Sequence, residues 1–149
     1  MTIRRYRDGD WSEWLRMSQA LFPTPSDDDH TGDMAKFVAR PDAAVFIAER
    51  PDGSVCGYVE AGTRSYADGC DTTPVGYVEA WYVDADVRRH GYGRALLAAA
   101  EAWAVEQGYR EMASDALIDN ITSHEAHKAS GYIEGDRVVG FRKVLPERA

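Results

Sequence analysis

Apolar and polar positions change rhythm several times along the chain, and each change marks an element. Thr2 to Tyr6 reads as a short strand. Trp14, Leu15, Ser18 and the Leu21-Phe22 pair then recur at helical spacing, predicting a helix from about Trp11 to Phe22, with Asp8 or Asp10 at its start. Pro23-Thr24-Pro25 stops it. Ser26 opens a second helix whose first turn holds Asp27, Asp28 and Asp29, where negative charge favours the helix dipole, and which continues through Met34, Phe37 and Val38. Ala43–Arg50 and Ser54–Arg64 flank the turn Pro51-Asp52-Gly53, a hairpin pattern. After a polar loop from Tyr66 to Thr73, the Val-, Tyr- and Trp-rich run Val75–Val83 predicts a buried strand. A strongly apolar helix follows from Tyr92 to Gln107, ended by Gly108. Arg110–Ser114 is a further short strand, Asn120–Ser130 a helix closed by Gly131, and Tyr132–Glu134 and Val138–Val144 two last strands parted by Gly135-Asp136.

Between the Val75–Val83 strand and the helix at Tyr92 lies Arg88-x-x-Gly91-x-Gly93. A strand, a glycine loop and a helix start make an anion site: glycines let backbone N–H groups approach a phosphate, and the helix dipole adds positive potential. The loop is not a mononucleotide P-loop, because Gly93 is followed by Arg94-Ala95 rather than Lys-Ser or Lys-Thr. Nor is it a dinucleotide fingerprint, since the third glycine is missing and the strand lies mid-chain.

Composition narrows the class. The 149 residues, 44% apolar and 28% charged, fit one domain spanning 1–149, with no internal repeat or linker. No window approaches the ~20 apolar residues of a membrane span. The opening Met-Thr-Ile-Arg-Arg-Tyr-Arg has no apolar signal region, and Cys56 and Cys70 are too few for a disulfide framework, so a reduced, cytoplasmic protein is expected. A net charge of −8 argues against a nucleic-acid partner and suits a cationic small molecule.

Three carboxylates are the candidate chemistry. Glu79 sits on the Val75–Val83 strand amid apolar neighbours, where a charge is expensive unless it faces a cleft or a partner. Asp115 ends the next strand, and Asp136 lies in the last hairpin loop. Placed around one pocket, such groups orient a cationic amine and accept its proton.

The glycine loop resembles motif A of the GNAT acyltransferases, Arg/Gln-x-x-Gly-x-Gly/Ala, and Asn120-x-x-Ser123-x-x-x-His127-x-x-x-Gly131-Tyr132 resembles a second GNAT signature. The element order β-α-α-β-β-β-α-β-α-β-β is similar to the family's topology over nearly the whole chain. The resemblance implies an α/β (α+β) fold: a mixed, mostly antiparallel sheet of about seven strands flanked by about four helices. It implies acetyl-CoA as acetyl donor and no metal. The pyrophosphate would lie on Arg88, Arg89, His90, Gly91, Tyr92, Gly93 and Arg94, chiefly through N–H groups. The pantetheine would pair with the main chain of Trp81, Tyr82 and Val83, between splayed fourth and fifth strands, and bond Asn120. His127 stands where the family often has a tyrosine acting as general acid at the CoA sulfur.

Further stretches resemble the dimeric, chromosomal-type aminoglycoside 6'-N-acetyltransferases: Asp68 to Val75, Arg110 to Asp115, the Phe22-Pro23 turn and Ser123 to Tyr132. That likeness implies an antibiotic-resistance enzyme, a homodimer, and an acceptor held by Phe22, Tyr66, Glu79, Asp115 and Asp136, with Glu79 and Asp115 also deprotonating the amine. Phe22 and Asp136 depart from the subgroup, which usually has Trp and often Glu there. Acetylation of a polyamine or other cellular amine, and a non-catalytic acyl-CoA-binding module, stay open as alternatives.

Overall fold

The computed structural model describes residues 1–148. The chain packs as two compact units, one from Met1 to Asp115 and one from Ala116 onward. The first holds strands β1 (Thr2–Arg5), β2 (Ala44–Glu49), β3 (Val55–Arg64), β4 (Val75–Val83) and β5 (Met112–Ser114) with helices α1 (Trp11–Leu21), α2 (Asp28–Val38) and α3 (Tyr92–Glu106); the second holds α4 (Ile121–Ala129). No helix among the described residues is long and apolar enough to cross a membrane.

The strands form one sheet in the order β1-β2-β3-β4-β5. The first three pairings are antiparallel; β4 and β5 are parallel, joined through α3 as a parallel pair requires. Side chains alternate across β3: Gly57 faces Leu96 of α3, with so little room that an added Cβ would meet it at 3.1 Å, whereas Tyr58 belongs with Trp14 of α1. The α1 face holds the larger core cluster: Trp14, Met17, Met34, Val45, Ile47, Val55, Tyr58 and Ala80. Most boundaries agree with the sequence pattern to within two residues. Asp10 stands at the start of α1 without capping it. Its carboxylate is taken instead by the Arg4 guanidinium and the Arg7 N–H.

Two irregularities in the sheet matter for function. Glu60 pairs with Ala80 but Ala61 pairs with Val78, so Glu79 is the extra residue of a β-bulge in β4. In addition, β5 pairs β4 only from Gly76 to Val78. Residues 79–83 of β4 therefore have β3 on one side and, among the described residues, no strand on the other. This matches the splay that the resemblance implies.

Among the described residues the sheet has five strands rather than about seven, because no strand forms at Tyr132–Glu134 or Val138–Val144. The apolar side chains there are exposed, Ile133 and Phe141 at 95%. An apolar segment becomes a strand only where another strand takes up its N–H and C=O groups, and among the described residues this one has no such neighbour.

Candidate active site

The glycine loop forms one half of the site. A short 3-10 turn, Ala85–Val87, leads from β4 into it. Arg89 (φ 65°) and Gly91 (φ +89°) both adopt left-handed backbone, which at Gly91 costs nothing because there is no Cβ. Gly91 is the N-cap of the 15-residue α3; no side chain caps the helix and its first turn holds no acid, leaving the positive end of the dipole open to an anion. Gly93 lies against the Trp81 ring, where an added Cβ would sit 3.4 Å away, and its carbonyl accepts the Trp81 indole N–H at 3.0 Å. The Tyr92 side chain is buried, so its amide is what it offers a ligand. Arg88 turns back to donate to the Val83 carbonyl at 3.0 Å, while Arg89, His90 and Arg94 are exposed. An open helix start beside an unpaired stretch of β4 fits a pyrophosphate with an extended arm, as acetyl-CoA requires.

Asp84 anchors this half. Its carboxylate accepts from Arg16 at 3.0 and 3.1 Å, from Arg50 at 3.1 Å and from the Tyr82 hydroxyl at 3.0 Å. Burial pushes its pKa up, but the Arg16, Tyr82 and Arg50 hydrogen bonds outweigh that and hold it below the usual carboxylate range. A depressed folded-state pKa stabilises the protein above the unfolded value, about 4, and that contribution fades as pH falls through the folded one. Asp84→Ala, which takes one partner from Arg16, Arg50 and the Tyr82 hydroxyl while Glu13 and Asp86 stay paired with the two guanidiniums, is expected to cost about 2 kcal/mol and lower Tm by roughly 4–8 °C at pH 7. At pH 3 the gap from wild type should shrink. Calorimetric melts at the two pH values check this.

The other half is a cavity of about 350 Å³ between α1, α2 and the sheet. Phe22, Met34 and Phe37 supply apolar walls, and Asp29, Asp33, Glu60 and Glu79 supply carboxylates. Glu79 and Ala80, consecutive on β4, both line it, as the bulge allows. Behind the wall, Gln19 Oε1 already accepts the Thr24 N–H at 2.6 Å, so the His30 Nε2 at 3.2 Å carries the proton it shares with that oxygen. His30 Nδ1 shares a hydrogen bond of 2.8 Å with the Ser18 hydroxyl. This chain ties the Phe22–Pro25 turn to α2. Glu60 accepts the Trp14 indole N–H at 3.1 Å. Burial, with Glu79 and Asp33 nearby, pushes the Glu60 carboxyl up to about 7 against the pull of Trp14.

The sequence-predicted acceptor residues are partly brought together. Phe22 and Glu79 share the cavity. Glu79 takes a bidentate ion pair from Arg64, at 2.9 and 2.8 Å. The same guanidinium lies 3.5 Å over the Tyr77 ring, and the Tyr77 hydroxyl donates to Asp115 Oδ2 at 2.5 Å. Glu79 and Asp115 are thus joined through Arg64 and Tyr77, although Asp115 does not line the cavity. Neither does Tyr66, which is exposed and donates to Asp68 at 2.8 Å. In the second unit, Asn120 caps α4 by accepting the Ser123 N–H at 3.2 Å. His127 Nδ1 donates to the Ser123 carbonyl at 2.7 Å, and its ring packs edge-on against Tyr132. Asp136 is exposed, on a stretch without helix or strand.

Sequence reasoning passed over Glu60 and Arg64. Glu60 left one signal, an acid inside the apolar run Val55–Ala61, the same signal that drew attention to Glu79. Arg64 left none, since its pairing with Glu79 depends on the strand register.

Comparison with known proteins adds the following. The acetyltransferase (GNAT) family profile matches residues 10–132. An aminoglycoside N(6')-acetyltransferase type 1 from Klebsiella aerogenes is 42% identical over 147 residues, covering 96% of each chain. Among solved structures, an aminoglycoside antibiotic 6'-N-acetyltransferase from Acinetobacter haemolyticus superposes with a TM-score of 0.92 at 33% identity, over 98% of this chain and all of that one. AAC(6')-Iy, solved with the bisubstrate analogue CoA-S-monomethyl-acetylneamine, gives 0.90 at 34% identity, over 97% and 98%.

Proposed function

The chain belongs to the acetyltransferase (GNAT) family, and from that premise we propose that it transfers acetyl from acetyl-CoA to the 6'-amine of aminoglycosides, conferring resistance to them. One observation carries the reading: the open edge of β4 leads from an anion-ready helix start to Glu79, at the wall of an aromatic and acidic cavity. Aminoglycosides bear several ammonium groups and no acid, so this cavity matches them in charge.

An ammonium must lose its proton before nitrogen attacks the thioester carbonyl. The new C–N bond forms as the C–S bond breaks, and CoA leaves through its sulfur. We assign the orienting and proton-accepting work to Glu79 and Asp115. Arg64 uses two of the roughly four lone-pair sites of the Glu79 carboxylate and Tyr77 one of those on Asp115, so both retain capacity for an amine. Phe22 and Tyr66 are assigned to the sugar faces. Trp81, Tyr82 and Val83 are assigned to the pantetheine through their main chain, and Arg88 through Arg94 to the pyrophosphate. By the family resemblance, Asn120 is assigned to the pantetheine, His127 to protonating the sulfur, and Asp136 to an ammonium of the acceptor.

We further propose a homodimer. The 132–148 stretch presents Ile133, Val138, Val139 and Phe141 to solvent with no strand beside it among the described residues, a condition that favours pairing with a second copy. A cytoplasmic setting is supported by the two free cysteines and the metabolic location of acetyl-CoA.

The functional test is thiol release from acetyl-CoA, screened over kanamycin, tobramycin and polyamines. Turnover with the first two and little with the last supports the assignment; the reverse order replaces it with a polyamine acetyltransferase.

A further inference from the structure

Of the three carboxylates around the acceptor region, two belong to one network built on Arg64 and Tyr77. Arg64 holds both oxygens of Glu79, and Tyr77 holds Asp115. Glu60 differs. It projects from β3 into the cavity among Trp14, Met34 and Ala80 of the apolar core, and no Lys or Arg pairs with it. Its one hydrogen bond comes from a fully buried indole, Trp14 Nε1, to Oε2. Oε1 is left for whatever enters the cavity. An acid in such surroundings is costly unless a cation completes it.

We propose that Glu60 is an ammonium-binding residue of the acceptor site: it takes a primary ammonium group of the aminoglycoside, other than the one acetylated, at the inner end of the cavity between Phe22 and Phe37. Resting on the function proposed above, this assigns a subsite within it. Trp14 fixes the carboxyl in place, so the ammonium meets a pre-aimed acceptor. The groups facing Glu60 are Trp14 from α1, Asp29, His30 and Asp33 from α2, Arg40 beyond it, and Glu79 from β4. Burial, with Glu79 and Asp33 nearby, raises the Glu60 pKa, and an incoming ammonium lowers it. Near pH 6.5 the empty site is therefore partly protonated, and acceptor binding expels that proton. At pH 8 more of the carboxyl is already ionised, so binding releases fewer protons.

The test is Glu60→Gln, whose amide oxygen still accepts from Trp14 while the charge is gone. Wild type should bind and acetylate tobramycin. The variant should raise the tobramycin KM about tenfold or more, leave the acetyl-CoA KM unchanged, and melt no lower than wild type. Titration calorimetry at pH 6.5 in two buffers of different ionisation enthalpy should show proton release from wild type that is lost in the variant. An unchanged tobramycin KM with the proton release retained overturns the Glu60 assignment and leaves the 6'-acetyltransferase reading standing. Wild type that neither binds nor acetylates tobramycin overturns both.

Discussion

Gly91→Asp is expected to weaken acetyl-CoA binding by roughly 10²-fold or more while leaving the protein folded. Gly91 holds φ +89° at the N-cap of α3, directly before the helix start assigned to the pyrophosphate. A carboxylate about 4 Å from a phosphate in this setting repels it by about 4 kcal/mol at an effective dielectric of 20. The same charge suits the free helix N-terminus, which offsets part of the strain of putting a Cβ at a left-handed position. Gly91→Ala separates the two effects. It should cost about 1–2 kcal/mol of stability and much less of the affinity. Titration calorimetry with acetyl-CoA, alongside thermal melts, checks both; an Asp variant that binds acetyl-CoA normally with a normal fold would remove the pyrophosphate from this loop.

Asp115→Asn carries the second large effect. The amide keeps the size of the acid, and its oxygen still accepts the Tyr77 hydroxyl, so Tm should hardly move. What disappears is the negative charge and the capacity to take a proton. We expect kcat/KM for an aminoglycoside to fall roughly 10²-fold, the scale of a lost general base, with acetyl-CoA affinity unchanged. Near-normal acetylation by this variant would shift the proton-accepting role to Glu79. The companion Glu79→Gln is harder to interpret, because it also releases Arg64 from its bidentate pair.

Much of the first unit was legible in the residue pattern because each element announced itself locally. The Val75–Val83 strand has the bounds the apolar run predicted, and the glycine loop sits between strand and helix as its spacing required. Glu79 was marked as an acid that needs a cleft or a partner, and it has both. What escaped depends on register. A bulge that skips Glu79 carries no signature in composition, yet it decides that Glu79 and Ala80 line one cavity. Arg64 meets Glu79 across 15 residues of chain, and Trp14 meets Glu60 across 46, contacts that no local pattern encodes. The last two predicted strands show a different limit. Their apolar residues are there, but a strand needs a neighbour, and a local run of residues cannot supply it.

Which nitrogen of the acceptor is acetylated can be read from one product analysis. Kanamycin, which carries a 6'-amine, is incubated with the protein and acetyl-CoA beside an analogue bearing a 6'-hydroxyl, and the products are mapped by NMR. A site built around one aligned nucleophile rejects a substrate that lacks it. The expected result is a single acetyl on N6' of kanamycin and no product from the 6'-hydroxyl analogue. An acetyl group on another amine, or equal turnover of the analogue, would contradict the assignment.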